Sequence, residues 1–361
     1  MTQSAQCSSA GEAHRGATAV VSREGKTLVV DIHAHLNIPA AGELMRPYSA
    51  GEISIQTFST PSTDEVNRRL FQCIGPVLNG AEQRIADMDR LGVDVQAVSP
   101  VPTQYYYHAD PEIGRQASRI VNDGIAAAVA RHPKRMVGMG TVPLQAPELA
   151  ILEMRRCVGE LGFRGIEISS NVAGRELAEP EFRPFFAAAE ELGVLLFIHP
   201  LGFTQGQRLR EHYLNNLIGN PLESTIAVSH LIFGGVLERY PGLKLCVAHG
   251  GGYLPAYWGR MDHAWRERDD CRQIITKPPS EYLRRIYFDT VVFDRRQVDF
   301  LLQIYGPERL LMGTDYPFDM AEPDPLRLLG HLDLDARQKV LGGNAARLLS
   351  LTGPECSSAD R

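Results

Sequence analysis

The feature that most constrains this fold is a regular alternation of short apolar segments with longer helical patterns. Several short segments, such as 194–198, are continuous apolar runs, which are typical of strands buried on both faces of a parallel sheet. The eight predicted strands are 27–33, 93–101, 136–144, 165–171, 194–200, 244–250, 286–290 and 310–315. The helical patterns between them are 82–91, 111–132, 146–161, 181–192 and 221–240. Eight strands with helical crossovers predict a closed α/β barrel, the (β/α)8 or TIM barrel.

The predicted barrel occupies one continuous domain over residues 27–352. No Pro/Ser-rich linker divides this region, and no repeat of fixed length is visible in it. Residues 1–26 are expected to form a polar leader without the apolar segment of a secretory signal, and residues 353–361 a frayed tail. The segment 40–80 is too long for a simple connection between a strand and a helix. We therefore expect an inserted lid or a dimer contact there.

Composition narrows the function classes. Hydrophobic residues make up 44% of the 361, which is ample for a large core, and 37 basic against 43 acidic side chains give a net charge of −6. Neither nucleic acid nor an anionic membrane is an expected partner, because both require basic patches, and no apolar run reaches the length of a membrane helix. Six cysteines are scattered singly, which favours free thiols in a reducing cytoplasm. They are Cys7, Cys73, Cys157, Cys246, Cys271 and Cys356.

Histidine and aspartate residues cluster at the carboxyl ends of three predicted strands. His33 and His35 close the first strand, His199 the fifth, and Asp315 the eighth. These strand ends meet at one mouth of a barrel, and two residues spaced i, i+2 in a strand point to the same face. Three imidazoles and a carboxylate form a plausible ligand set for Zn²⁺ or a similar divalent ion. The pattern therefore predicts a metal site at the barrel mouth.

Each part of this pattern also has a simpler structural explanation. An isolated His-x-His pair is often incidental, His199 suits a core position, and Asp315 suits a helix cap. His249 follows the sixth strand and begins a run of three glycines, which lets backbone and substrate approach closely. Beside a metal site, a histidine is a natural general acid or base, although His249 as a further ligand is the alternative.

The sequence resembles the amidohydrolase superfamily, in its branch of aminocarboxymuconate-semialdehyde decarboxylase-like enzymes, from about residue 29 to residue 351. The segments that carry the resemblance are Asp31-Ile-His-Ala-His35, Arg84-Ile-Ala-Asp-Met-Asp89 with Gly92-Val-Asp-Val-Gln96, Ile198-His-Pro200, Ala248-His-Gly-Gly-Gly252, Gly259-Arg-Met-Asp-His-Ala-Trp-Arg266, Pro278-Pro-Ser-Glu-Tyr282 and Gly313-Thr-Asp-Tyr-Pro-Phe318. The resemblance implies a metal-dependent barrel enzyme that decarboxylates a small acid, in aromatic-compound catabolism.

Residue by residue, the resemblance implies that His33, His35, His199 and Asp315 bind the metal and that His249 is catalytic. It also implies that Arg260 binds a substrate carboxylate in the neighbouring subunit, so that the enzyme is a homodimer or a larger homo-oligomer. The fourth predicted strand lacks the lysine with which many superfamily members hold two metals. We therefore expect one divalent ion, Zn²⁺ before Mn²⁺ or Co²⁺.

The sequence departs from the family pattern near the substrate. Gln72 stands where a second carboxylate-binding arginine is expected, although Arg68 and Arg69 lie nearby. His212 and Asn216 stand in the places of family tryptophans near the mouth. These departures predict an altered substrate, with one carboxylate fewer or a different ring.

Two further residues carry open interpretations. Tyr105 begins a Tyr-Tyr-Tyr-His cluster that either stacks on an aromatic substrate or packs beneath the lid. Glu167 is a strand glutamate that could line the floor of the site.

The leading functional hypothesis is a metal-dependent decarboxylase of a small aromatic or muconate-type carboxylic acid. A hydrolase or hydratase with the same site is the nearest alternative, because a metal-activated water can attack a lactone, an amide, a C–C bond or a double bond. A catalytically inactive barrel that serves as a binding protein is the third. Release of CO₂ discriminates the first two hypotheses.

Overall fold

The structure is a computed structural model that describes residues 18–19, 27–48 and 55–352. Its central element is one sheet of eight parallel strands, arranged in the order in which they follow along the chain. The barrel strands are β1 (Val30–Leu36), β2 (Val95–Pro100), β3 (Met136–Gly140), β4 (Gly165–Ile168), β5 (Leu195–Ile198), β6 (Lys244–Val247), β7 (Tyr287–Asp289) and β8 (Leu310–Leu311). The predicted (β/α)8 fold is confirmed.

The barrel closes between its first and last strands. Ile32 N–H donates to the Met312 carbonyl at 2.9 Å, and His35 N–H donates to the Tyr316 carbonyl at 2.8 Å. A parallel bridge joins Ala34 and Tyr316 beyond the end of β8. Since these bonds satisfy the polar backbone groups of both edge strands, the sheet has no free edge in this region.

A register irregularity in β1 determines where its histidines point. Asp31 pairs with Gln96 and Ala34 with Val98, so β1 carries one more residue than β2 in this interval. Ile32 belongs to the apolar cluster inside the barrel, and regular alternation would place the next residue on the opposite face. The extra residue reverses this alternation. The His33 ring consequently lies 5.0 Å from the ring of Phe197, which is also an interior residue.

Helices surround the barrel, as the pattern predicts. Their apolar faces and the outer faces of the strands form the larger of two cores. The helices are α1 (Pro39–Met45), α2 (Pro61–Leu78), α3 (Glu82–Leu91), α4 (Pro111–Arg131), α5 (Pro147–Gly159), α6 (Arg183–Leu192), α7 (Asn220–Phe233), α8 (Val236–Arg239), α9 (Leu254–Glu267), α10 (Pro279–Leu283), α11 (Arg295–Tyr305), α12 (Pro325–Leu328), α13 (Leu334–Gln338) and α14 (Asn344–Leu348).

Several predicted strands are shorter in the structure, and two further differences in element boundaries bear on the site. The predicted helix over 221–240 is broken into α7 and α8, because Gly235 adopts a left-handed conformation with φ of 75°. The first predicted strand continues to Leu36, so His33 and His35 lie within β1 rather than at its end. Two short strand pairs lie outside the barrel: Thr18–Ala19 with Leu351–Thr352, and Asn171–Val172 with Arg175–Glu176.

The segment 40–80 is largely helical where it is described. It contains most of α1, and it contains α2, which begins after Thr60, whose hydroxyl accepts from Thr63 N–H. Residues 49–54 lie outside the described residues, as do the tail 353–361 and all of the predicted leader except 18–19. The single domain over 27–352 and the lid or dimer-contact role of 40–80 remain predictions. Among the described helices, none combines the length and the apolar character needed to cross a bilayer.

Candidate metal centre and active site

Five side chains from four strands meet at the mouth of the barrel. His33 and His35 lie on β1, His199 directly follows β5, His249 follows β6, and Asp315 follows β8. The Nε2 atoms of His33 and His35 are 3.1 Å apart. They lie 3.3 and 3.2 Å from the same Asp315 oxygen, Oδ1. The rings of His33 and His199 have centroids 4.9 Å apart. All four predicted metal ligands are therefore brought together.

His249 lies against this group from the other side. Its Nε2 is 3.6 Å from Asp315 Oδ2, and its ring centroid is 5.1 Å from that of His199. One ligand atom from each of His33, His199, His249 and Asp315 lies within 4.8 Å of the others. Distance alone thus groups His249 with the ligands as readily as it groups His35.

Two hydrogen bonds orient the β1 histidines. His33 Nδ1 lies 2.6 Å from Asp289 Oδ2, and His35 Nδ1 lies 2.8 Å from the Pro100 carbonyl. Because both partners are acceptors, each Nδ1 carries the proton and donates it. Each Nε2 therefore presents a lone pair toward Asp315, the tautomer that a metal-binding imidazole needs.

The donor atoms in the centre lack protein partners. Both ring nitrogens of His199 are buried without a hydrogen bond, as is Asp315 Oδ1, among the described residues. Burial lowers the pKa of His199 well below its usual range, and the neighbouring His35 and His33 reinforce the effect. Buried polar atoms without partners are costly. Three imidazole nitrogens and a carboxylate oxygen facing a common point fit a Zn²⁺- or Mn²⁺-type ion.

Strained backbone positions hold two of these side chains. His249 has φ of 56° and Asp315 has φ of 67°, in a region that residues with a side chain rarely adopt. The turn after His249 is held by Asp289 Oδ1, which accepts from Gly250 N–H at 2.9 Å. Burial by itself would raise the pKa of Asp315, but the surrounding histidines, His33 foremost, keep it well below its usual range.

Comparison with known proteins decides the family. The amidohydrolase family model matches residues 30–351, which is nearly the whole described barrel. The chain belongs to the amidohydrolase family. It is 35% identical to the 2-amino-3-carboxymuconate-6-semialdehyde decarboxylase of Dictyostelium discoideum over 332 residues, which cover 90% of this chain and 92% of that protein. The predicted membership in the decarboxylase branch is confirmed.

Solved structures agree with this assignment. The 5-carboxyvanillate decarboxylase of Sphingomonas paucimobilis superposes with a TM-score of 0.81 at 26% identity, covering 91% of this chain and 100% of that one. A mutant of the corresponding enzyme from Novosphingobium aromaticivorans, solved with bound manganese, has the same TM-score and identity and covers 92% and 100%. This amidohydrolase therefore shares the fold of metal-containing decarboxylases.

A buried polar network, which the sequence did not reveal as a unit, supports the centre of this amidohydrolase. Arg84 is fully buried and donates to the carbonyl of His35 at 2.5 Å and to Gln96 Oε1 at 2.7 Å. Gln96 in turn donates to Asp31 Oδ2, and Asp31 also accepts from the Thr314 hydroxyl at 2.6 Å. The network joins α3 with β1, β2 and the loop that carries Asp315. The sequence feature that could have pointed to this network is the presence of Asp31, Arg84 and Thr314 inside the segments that resemble the family.

Asp289 is the functional candidate that sequence reasoning missed. It ends β7, is fully buried, and contacts both His33 Nδ1 and the turn after His249. Burial by itself would raise its pKa, but the bond to His33 and the neighbouring His249 lower it, so it remains an anion. Its position at the end of the seventh predicted strand was the available signal.

Two open cavities meet at Asp315. The smaller, about 210 Å³, extends past His199 toward α2 and is lined by Phe71, Tyr213 and Phe318 among others. The larger, about 440 Å³, contains His249 and is mostly apolar, with Val292 and Phe300 in its wall. Asn216, one of the residues at a family tryptophan position, lines both.

The structure does not bring the four predicted substrate-binding residues into these cavities. Gln72 is exposed on α2 beside the smaller cavity, and His212 is exposed while its neighbour Tyr213 takes the place in the wall. Tyr105 is buried, with its hydroxyl 2.7 Å from Glu167 Oε1, and it stacks on Tyr107. Glu167 lies under His35, with Oε2 3.7 Å from Nδ1, and burial raises its pKa. Arg260 is exposed on α9, outside both cavities of its own chain.

Proposed function

We propose that this amidohydrolase decarboxylates a small aromatic or muconate-type carboxylic acid at the mouth of its barrel. The observation that carries the proposal is the close approach of His33, His35, His199 and Asp315, with His249 beside them and two open cavities meeting there. The decarboxylases among its relatives support this reaction class.

In this proposal His33, His35, His199 and Asp315 hold one divalent ion. Zn²⁺ is the first candidate because imidazole and carboxylate ligands suit it, and the manganese in a related structure makes Mn²⁺ the second. Co²⁺ is the third candidate. An ion held here supplies Lewis acidity toward the oxygen atoms of the substrate.

His249 is assigned the role of proton donor to the carbon that loses CO₂. Its ring borders the larger cavity and its side chain is 15% exposed, so a substrate can reach it, whereas His33 and His35 are fully buried. When the bond from carbon to the carboxylate breaks, that carbon keeps the electron pair. His249 then supplies the proton that completes the new C–H bond, which is general acid catalysis. Asp315, 3.6 Å from Nε2, orients the ring.

Arg260 is assigned the role of binding a substrate carboxylate in the active site of a neighbouring subunit. Its exposed position on α9, away from the cavities of its own chain, supports a role across an interface. A guanidinium makes paired hydrogen bonds to a carboxylate, which a lysine cannot reproduce. The proposed assembly is a homodimer or a larger homo-oligomer. A reducing cytoplasm is the proposed location, and the unpaired buried thiols of Cys157 and Cys246 suit it.

A screen of hydroxylated benzoic acids and muconate-type acids, with CO₂ detection and elemental analysis, tests the function. We expect CO₂ release from at least one acid, and about one divalent ion per chain. Consumption of an acid without CO₂ would instead indicate a hydrolase or hydratase. Protein without stoichiometric metal, and without activity after addition of Zn²⁺, Mn²⁺ or Co²⁺, would contradict the proposal.

A further inference from the structure

Among the described residues, the side chains around the smaller cavity include no lysine or arginine. Its ionisable lining groups are His199, Asp315, Asp319 and the phenol of Tyr213. The other polar groups are uncharged, and the side-chain amides of two of them, Asn67 and Asn216, have no hydrogen bond with another described residue. Apart from the proposed metal ion, this wall therefore offers no cation to a substrate carboxylate, for which arginine is a common partner.

Two arginines of α2, the helix that contributes Phe71 to the cavity wall, are already paired. Arg68, on α2, donates from Nε and Nη2 to both oxygens of Glu65, at 2.8 and 2.7 Å. Arg69 lies 3.5 Å from the same carboxylate. Both side chains are more than half exposed, and Gln72, at the position where the family resemblance predicts an arginine, is exposed beside them. This side of α2 therefore presents little free positive charge to a substrate.

Asp319 adds a negative charge at the same place. It is exposed in the wall of the cavity, four residues after Asp315, and no hydrogen bond or ion pair to another described residue engages its carboxylate. An unpaired carboxylate repels an anionic group that enters beside it and accepts a hydrogen bond from a hydroxyl or amino group. Such repulsion is a recognised way to exclude a competing ligand.

Tyr213 lines the same cavity as Asp319. Burial raises the pKa of the Tyr213 phenol, and the carboxylates of Asp319 and Asp315 raise it further, so the hydroxyl remains a donor. The residue stands at φ of 61° directly after His212 at φ of 57°. Two consecutive left-handed residues turn Tyr213 into the wall and leave His212 exposed. The cavity thus offers uncharged donors and, besides the proposed metal ligand Asp315, one anionic acceptor, Asp319.

We propose that Asp319 is a specificity-determining residue that makes this site select acids with a single carboxylate and hydroxyl or amino substituents over dicarboxylates. The inference rests on the proposed decarboxylase function and names its substrate class. It also agrees with the assignment of Arg260, because one guanidinium from a neighbouring subunit pairs with one carboxylate.

The test compares 2-hydroxybenzoate with 2-hydroxybenzene-1,3-dicarboxylate, which differ by one carboxylate. Binding is measured by calorimetry on metal-loaded His249→Asn chains, whose slow turnover leaves the acids intact. We expect the monocarboxylate to bind about tenfold more tightly or better, as like-charge repulsion implies. When Asp319→Asn is introduced into the His249→Asn chain, most of the preference for the monocarboxylate should disappear. Higher salt should weaken it, since screening acts on exposed charges.

The matched control is Glu160→Gln, which removes one exposed carboxylate at the end of α5, at the opposite end of the barrel. It should leave the preference unchanged. Equal preference in the Asp319→Asn chains, tighter binding of the dicarboxylate by the parent chain, or no binding of the monocarboxylate would overturn the inference. CO₂ release is measured separately with the wild-type chain. Its absence would count against the proposed function, while the binding ratio would still decide the role of Asp319.

Discussion

Asp289 shows how one buried carboxylate can serve two parts of a site. Its Oδ2 orients His33, and its Oδ1 accepts from Gly250 N–H, directly after His249. A metal-binding histidine depends on such a partner for its tautomer and ring orientation. We therefore regard Asp289 as a positioning residue for both the proposed ligand set and the proposed proton donor.

Asp289→Asn should weaken metal binding while the fold is kept. The amide oxygen can still accept from Gly250, but the amide nitrogen cannot accept from His33 Nδ1. We expect metal affinity to fall by about 10- to 100-fold, the usual effect of losing such a partner. Competition with a chelator measures the affinity, and circular dichroism checks the fold. Unchanged affinity would show that His33 does not need this bond.

His249→Asn should separate the proton donor from the ligands. Asparagine keeps a polar side chain in the cavity but cannot supply a proton near neutral pH. We expect normal metal content and a loss of turnover of about 10²-fold or more, since general acid–base catalysis contributes that much. His33→Ala and Asp315→Ala are the comparison variants, which should lose metal and activity together. If His249→Asn loses the metal as they do, His249 is a ligand.

The turn after β6 depends on close packing against a helix. Gly252 has φ of 64°, and a Cβ on it would lie 2.2 Å from the carbonyl oxygen of Pro221 in the first turn of α7. Tyr253 N–H donates to the Thr225 hydroxyl of the same helix at 2.9 Å. This contact sets how the turn that begins with His249 lies over the barrel mouth.

Gly252→Ala should therefore destabilise the protein by about 2 kcal/mol or more, because it combines a left-handed backbone with a backbone clash. Urea unfolding followed by circular dichroism gives the free energy of unfolding. Gly174→Ala is the matched control: its φ is 84°, but no atom lies within 4 Å of its Cβ position. We expect that control to cost only about 1 kcal/mol. Similar losses for both variants would mean that the contact with α7 is not tight.

At the level of elements, sequence reasoning found the strands and missed the turns. Continuous apolar runs such as β5 have few alternatives to a buried parallel strand, so their positions were predictable. The conformations of His212 and Tyr213 were not predictable, because a left-handed backbone in non-glycine residues produces no periodic pattern in the sequence. For that reason the sequence suggested His212, whereas the structure places Tyr213 in the wall. Tyr105 shows the same limit: an aromatic cluster does not reveal that Glu167 binds its hydroxyl.

At the scale of the whole molecule, the barrel explains why distant residues form one centre. His33 and Asp289 are 256 positions apart in sequence, yet their side chains are 2.6 Å apart. The sequence could predict the proposed ligands because all of them lie at or near the carboxyl ends of recognisable strands. It could not predict Asp319 as a wall residue, because that position depends on the loop after β8. A single chain also cannot test Arg260, whose proposed site belongs to another subunit.

Mixing two inactive variants tests that arrangement. Arg260→Ala should chiefly weaken substrate binding and leave the metal content normal, since the residue lies away from the ligands on α9. His249→Asn should lose turnover. In a mixed dimer of the two, one active site combines an intact His249 with an intact Arg260 from its neighbour, so partial activity should return.

The measurement is the rate of CO₂ release before and after subunit exchange, with exchange confirmed by native mass spectrometry. Mixtures of His249→Asn with His33→Ala chains are the control, because each substitution damages the active site of its own chain and Arg260 is intact in both chains. Their mixed dimers contain no site with both His33 and His249, so they should stay inactive. Full activity in a proven monomer, or no recovery after confirmed exchange, would rule out the shared site.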